Sequence, residues 1–382
     1  RELPGTPVRG GRDSSGMAEL DGLRNGSEVG IENSRGTSGL AGRSGESGGL
    51  RPVLADSGNS AVEDNNSETE PELSEDGLQA KYKTQSKSES LGTLIPKFLL
   101  SATQKALKNV QKKYGSVDDF VLSQLAYDSK EELYNALAAE QIDSVALAID
   151  NIKNGESVII GDQTGIGKGR QAAAIMRYAK LNGITPIFIT EKPKLFSDMY
   201  FDGKDIGETF HPFLIGEKYK SSIIGRDNEV IQKTLPKPSA YFSKMLADNP
   251  KNFDSVFTVY SQLNKGGNPQ QRFLQNMIDT KACLLVMDEA HNASGVDSNT
   301  GRFFKGLVAS KNLKGVVYLS ATYAKRPENM MLFLGEKFKE IVPNILDVFK
   351  KGGLAIQQIV CQGLAESGRL IRRERDFSGV KV

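Results

Sequence analysis

The chain has 382 residues and a net charge of +2, with 25% of its residues charged. That length permits one or two domains with a buried core, and so even a charge balance argues neither for nor against a nucleic-acid partner. Cys283 and Cys361 are lone residues, and with His211 and His291 they make no paired Cys or His spacing, which argues against a disulfide framework and a zinc site and suits a reducing, cytoplasmic setting.

No stretch reaches the roughly 18 apolar residues of a membrane span, and the start lacks a signal peptide's apolar centre. Residues 1–90 hold 15 of the 39 glycines but, among the 17 phenylalanines and 11 tyrosines, only Tyr82. Such a stretch has too little apolar surface to offset the entropy of ordering, so it is expected to be a disordered, low-complexity tail. Residues 91–155 read as a helical lead-in. Its lysines Lys105, Lys108, Lys112 and Lys113 suit a solvated face, and Ile142, Val145, Ala146 and Ile149 recur at helical spacing before Asn154-Gly155 stops the helix.

From there strands and helices alternate. SVII (157–160), PIFIT (186–190), SVFTVY (255–260), CLLVMD (283–288) and VVYLS (316–320) are apolar and β-branched enough to be buried on both faces, as parallel strands are. Intervening helices make this an α/β chain with a mainly parallel sheet, expected over residues 156–350, with ligands bound beyond the carboxyl ends of its strands. Residues 351–382 read as a helix and a strand lead-in. With Arg1 at the start and DFSGVKV at the end, the sequence reads as part of a longer protein.

GDQTGIGKGR (161–170) joins the first strand to a helix, the setting of a phosphate-binding loop. Gly165, Gly167 and Gly169 would let backbone N–H groups point inward, flanked by Thr164, Ile166 and Arg170, and Lys168 would neutralise phosphate charge. Against the G-x-x-x-x-G-K-[ST] template, Asp162 replaces the first glycine and Gly169 the magnesium-binding hydroxyl. An ordinary glycine-rich connection would look similar.

In DEAH, Asp288 ends the strand CLLVMD with Glu289 beside it and His291 three residues on, a placement where Asp288 suits magnesium and Glu289 the orientation of a water. Capping of a helix start is the bland reading of the same acids, and packing that of His291. Ser320 and Thr322 of SAT end a further strand, where their hydroxyls can reach His291 or Glu289, or merely cap a helix.

GKG, DEAH and SAT, each after an apolar strand and with Lys168 and Asp288 120 residues apart, resemble the first motor domain of superfamily 2 helicases. The resemblance is closest to the Strawberry notch branch, in which glycine follows the lysine, and within it to helicase-like proteins of phages and mobile elements. TLIPKFLLSATQKAL, AAEQIDSVALAID, FITEKPKLFSDMYFDGKDIG and TVYSQLNKG extend it over about residues 91–382. It implies a RecA-like, P-loop three-layer sandwich that hydrolyses ATP with Mg2+ and acts on nucleic acid, with DNA the expected kind, in a bacterial or phage-encoded setting.

By the same resemblance Gln141 is similar to a glutamine that reads adenine, while Thr190, Lys192, Tyr260, Ser261 and Gln262 correspond to residues touching the nucleic-acid backbone. A second motor domain, whose arginines complete the site, would lie outside this chain. The alternative is a non-catalytic DNA-binding or docking module on a degenerate motor fold.

Overall fold

The computed structural model describes residues 78–216, 221–234, 253–293, 298–322, 330–334 and 344–377. They all belong to one compact unit, and the expected tail up to residue 77 and the strand start at 378–382 lie outside them. Strands β1 (Gln79–Lys81) and β2 (Thr93–Pro96) open the described chain, followed by helices α1 (Lys97–Tyr114), α2 (Val117–Leu125), α3 (Lys130–Ala136) and α4 (Ala139–Lys153). Ser116 and Ser129 fix the starts of α2 and α3 by accepting hydrogen bonds from the N–H groups of Asp119 and Glu132.

Residues 78–90 correct the expected tail boundary. They are ordered because polar anchors replace the missing apolar bulk. Asp143 on the buried helix α4 accepts hydrogen bonds from the Tyr82 hydroxyl at 2.8 Å, Gln85 N at 2.9 Å and Ser86 N at 3.0 Å. One turn earlier, Glu140 accepts from Ser90 Oγ at 2.8 Å and Leu91 N at 2.9 Å. Both acids are buried, so their carboxylates require such partners, and the preceding chain supplies them.

The next strands in chain order are β3 (Val158–Ile160), β4 (Thr185–Thr190), β5 (Pro212–Ile215), β6 (Ser222–Ile224), β7 (Val230–Lys233), β8 (Ser255–Val259), β9 (Cys283–Asp288), β10 (Leu313–Leu319) and β11 (Leu370–Ile371). Seven of them form the main sheet, all parallel, in the order β11-β3-β10-β9-β4-β8-β5. The apolar runs are buried on both faces as expected, because helices cover them: α4 packs on β3 and β10, and α5 (Lys168–Leu181) on β4, β9 and β10. This is the expected RecA-like three-layer arrangement. The two remaining strands, β6 and β7, make a small hairpin beside α6 (Leu195–Asp205).

Helices α7 (Pro269–Thr280), α8 (Asn299–Val308) and the short α9 (Met330–Phe333) precede α10 (Ile345–Glu366), which packs along α1. The boundaries expected at 155/156 and 350/351 do not separate structural units. After α10 the chain adds β11 to the edge of the main sheet beside β3, then β12 (Glu374–Arg375) pairs antiparallel with β2. The two ends of the described chain thereby share the three-stranded sheet β1-β2-β12.

Candidate active site

Register brings the three motifs level. Ile160 of β3 lies opposite Leu319 of β10, and Leu319 opposite Asp288 of β9. The glycine loop, Ser320 and Asp288 therefore leave the sheet from its carboxyl edge on adjacent strands, spanning about 10 Å at the usual strand spacing. Asp288 and Glu289 both feel the charge of Lys168.

In the loop, Gly165 and Gly167 have φ of 94° and 84°, values that favour glycine. A Cβ on Gly167 would overlap the Gln141 amide, whose Nε2 donates to Ile166 O at 2.9 Å while its Oε1 accepts from Ala138 N at 3.1 Å. Gln141 is thus neither on a helix surface nor free to face a ligand with its whole amide. It holds the loop. Ile166 is buried beneath the turn, Thr164 is exposed, and Arg170 Nη2 donates to Asp205 at 2.9 Å.

Helix α5 begins at Lys168 with no side-chain cap, which leaves its first-turn N–H groups for an anion. Lys168 Nζ donates to Asp162 O at 2.7 Å, across the span a phosphate would enter. Gly169 has no positive φ; a Cβ there would overlap Asp202 Oδ2 and stand 2.8 Å from its Cγ.

Asp162, the residue that replaces the template's first glycine, is wholly buried and paired with Arg373 Nη2 at 2.6 Å. Arg373 further donates to Glu140 O and Ser144 Oγ, and its guanidinium lies over the Tyr82 ring. Two residues on, Arg375 donates from Nε and Nη2 to Gly165 O at 3.1 and 2.7 Å. Both arginines escaped the sequence reading. The available signal was a carboxylate directly after a buried strand, which demands a counter-charge, and the basic cluster RLIRRER.

At the acidic motif, Thr190 Oγ1 donates to Asp288 Oδ2 at 2.8 Å and the Tyr260 hydroxyl donates to Asp288 O at 2.8 Å. Burial pushes the Asp288 carboxyl up, and burial followed by the Asp288 charge does the same to Glu289. Glu289 sits at φ 47°, a left-handed turn rare for a residue with a side chain. It turns the chain off the sheet edge, with Glu289 Oε2 3.3 Å from His291 Nδ1. Ser320 Oγ and Thr322 Oγ1 each lie 3.2 Å from the same nitrogen.

Thr190 and Tyr260 correct the expected set of backbone-contacting residues. Thr190 is fully buried and Tyr260 is 7% exposed, and both hydroxyls are committed to Asp288. Lys192 and Ser261 are exposed, and Gln262 partly so. The uncapped helix, the lysine and the oxygen donors at Asp288 and Glu289 fit a phosphate chain and a hard divalent cation. Among the described residues no group of three or more His, Cys, Asp or Glu side chains is placed to hold a metal by itself. Such a cation would draw its remaining ligands from phosphate and water.

The family described as P-loop containing NTP hydrolase pore-1 matches residues 121–382. The chain belongs to this family. The P-loop NTP hydrolase is 27% identical over 272 residues to protein strawberry notch of Drosophila melanogaster, covering 64% of this chain and 15% of that protein. It is 26% identical over 269 residues to human protein strawberry notch homolog 2, covering 64% of this chain and 18% of that protein. The chain therefore spans less than a fifth of the length of these relatives. Both are animal proteins, so the bacterial or phage setting gains no support from them.

Among solved structures, a Sulfolobus solfataricus SWI2/SNF2 ATPase core in complex with dsDNA matches 63% of this chain and 45% of its own, with 15% identity and a TM-score of 0.41. The P-loop NTP hydrolase domain is thus similar in sequence to Strawberry notch proteins. Among the described residues no helix is long and apolar enough to cross a membrane.

Proposed function

We propose that this P-loop NTP hydrolase domain is the ATP-binding and ATP-hydrolysing first motor domain of a DNA-directed superfamily 2 translocase. The observation that carries the reading is the level register of Ile160, Leu319 and Asp288, which puts the lysine loop, Ser320 and the acid pair on adjacent strands at one sheet edge. Lys168 and the first turn of α5 bind the β and γ phosphates of ATP, and Asp288 would hold a Mg2+ ion, which would supply charge neutralisation at those phosphates. Glu289 orients and deprotonates the attacking water, helped by a left-handed backbone that fixes its direction.

His291, joined to Ser320 and Thr322 through Nδ1, links the phosphate side of the site to the carboxyl end of β10. Lys192, Ser261 and Gln262 contact backbone phosphates of the nucleic acid, which position a strand without reading its sequence. A second motor domain supplies arginines that complete the transition-state charge. The reading of a degenerate, non-catalytic module is less well supported, because Lys168, Asp288 and Glu289 keep a mutually consistent geometry. Phosphate release by the purified chain, with and without single-stranded DNA, tests the proposal. Turnover that rises with DNA and disappears in Lys168→Ala supports it; DNA binding with no nucleotide binding or turnover supports the docking module.

A further inference from the structure

The missing hydroxyl of the phosphate loop has a structural explanation. Position 169 does not need glycine for its backbone conformation, since its φ is not positive. It needs glycine because the Asp202 carboxylate from α6 occupies the space into which a side chain at 169 would project. The template hydroxyl would extend into that volume. An acidic oxygen from another helix stands there instead.

Asp202 has no other task among the described residues. Its neighbour Asp205 is paired with Arg170 at 2.9 Å and lies 3.6 Å from Arg226. Asp202 itself is half-buried and accepts no hydrogen bond and forms no ion pair with any described residue. A carboxylate withdrawn from water without a partner is costly unless a cation approaches it. Burial pushes its carboxyl up to about 6, the charge of Arg170 opposes this, and the charges of Asp205, Asp198 and, least, Asp288 add to it. Magnesium prefers oxygen ligands and keeps several waters, which suits two carboxylates from different elements around a phosphate.

We propose that Asp202 replaces the absent loop hydroxyl as a magnesium ligand, directly or through one of the ion's waters, so that the cation is held between Asp202 and Asp288. This rests on the nucleotide-site reading under Proposed function. It adds a metal-binding role for a residue on α6, outside the three strand-end motifs. It also turns Gly169 from a defect into the partner of Asp202, because each residue is shaped by the other.

The test uses the 382-residue chain and a fluorescent ATP analogue, titrated in EDTA and in millimolar Mg2+. A second readout is the electron paramagnetic resonance of Mn2+ bound together with ADP, which needs no turnover. Asp202→Ala and the isosteric Asp202→Asn are expected to bind nucleotide in EDTA as the parent does, and to lose roughly 10- to 100-fold of Mn2+ affinity. Gly169→Ser alone should weaken nucleotide binding by forcing the Asp202 carboxylate aside. Gly169→Ser with Asp202→Ala, which restores the template hydroxyl, should recover most of the lost metal affinity.

Parent-like Mn2+ affinity in a folded Asp202→Asn variant overturns the inference while leaving the nucleotide site intact. Failure of the double variant to improve on Asp202→Ala also counts against it. Absence of nucleotide binding by the parent in both conditions overturns the site reading itself, so the two failures are distinct.

Discussion

Arg373 and Asp162 form an ion pair with no solvent access, Nη2 standing 2.6 Å from Oδ2, and it ties the phosphate loop to the segment beyond α10. The template glycine at position 162 is absent because this loop is held from outside, by a guanidinium, as well as by its own turn. Removing one partner strands the other charge in the interior, at a cost of about 3–5 kcal/mol. Arg373→Met should therefore destabilise the chain strongly, and Asp162→Gly, which brings the loop closer to the template, should do so too. Denaturant unfolding of the two variants, and of Asp162→Asn with Arg373→Met, checks this. The double variant should regain part of the loss.

The nucleotide loop itself makes a sharper prediction. Gly167→Ala imposes a left-handed conformation on alanine, costing roughly 1–2 kcal/mol, and also drives a methyl group into the Gln141 amide. Adding Gln141→Ala should relieve the overlap but not the backbone cost. Thermal melts and nucleotide titrations should show the double variant between Gly167→Ala and the parent in stability. Its nucleotide affinity should stay below the parent's, because the hydrogen bond from Gln141 to Ile166 O is gone.

For chemistry, Glu289→Gln keeps the size of the side chain but removes the base. Turnover should fall by roughly 10²- to 10⁴-fold while nucleotide affinity holds within a few-fold. Lys168→Ala should lose both. Parallel measurements of phosphate release and nucleotide binding separate the two roles. Equal affinity and turnover in parent and Glu289→Gln would remove Glu289 from the mechanism.

Stability should also depend on pH through Asp143. Burial pushes its carboxyl from the ordinary 3.8 to about 6, against the opposing hydrogen bonds from Gln85, Tyr82 and Ser86 and the charge of Arg373. Between those values the folded chain keeps a proton that the unfolded chain has released, so this contribution to stability is present at low pH and is lost as pH rises through about 6. Asp143→Asn should flatten the dependence of melting temperature on pH between about 4 and 6 relative to the parent. An unchanged slope would assign the proton elsewhere.

The strand-end motifs were legible because parallel strands buried on both faces are written as unbroken apolar runs. CLLVMD coincides with β9 residue for residue, and the loop helix begins at Lys168 as its glycines suggest. The hidden features depend on partners distant in the chain. Residues 78–90 looked too polar to order, since nothing local announces that buried Asp143 and Glu140 will hold them. Leu370–Ile371 is too short a run to stand out as a strand, and it exists because the edge of β3 offers it hydrogen bonds. The family resemblance assigned Thr190 and Tyr260 to the nucleic-acid backbone, and nothing local in the sequence announces that their hydroxyls are committed to Asp288.

The long reach of the Asp162–Arg373 pair bears on how the molecule is made. The arginine comes 211 residues after its aspartate, so at a synthesis rate of roughly 5–20 residues per second the ribosome delivers it on the order of 10 to 40 s later. Throughout that interval the carboxylate has no counter-ion and must stay wet, which keeps the emerging loop open. A nascent chain should therefore gain affinity for nucleotide abruptly, when residue 373 clears the exit tunnel, rather than gradually as the sheet grows.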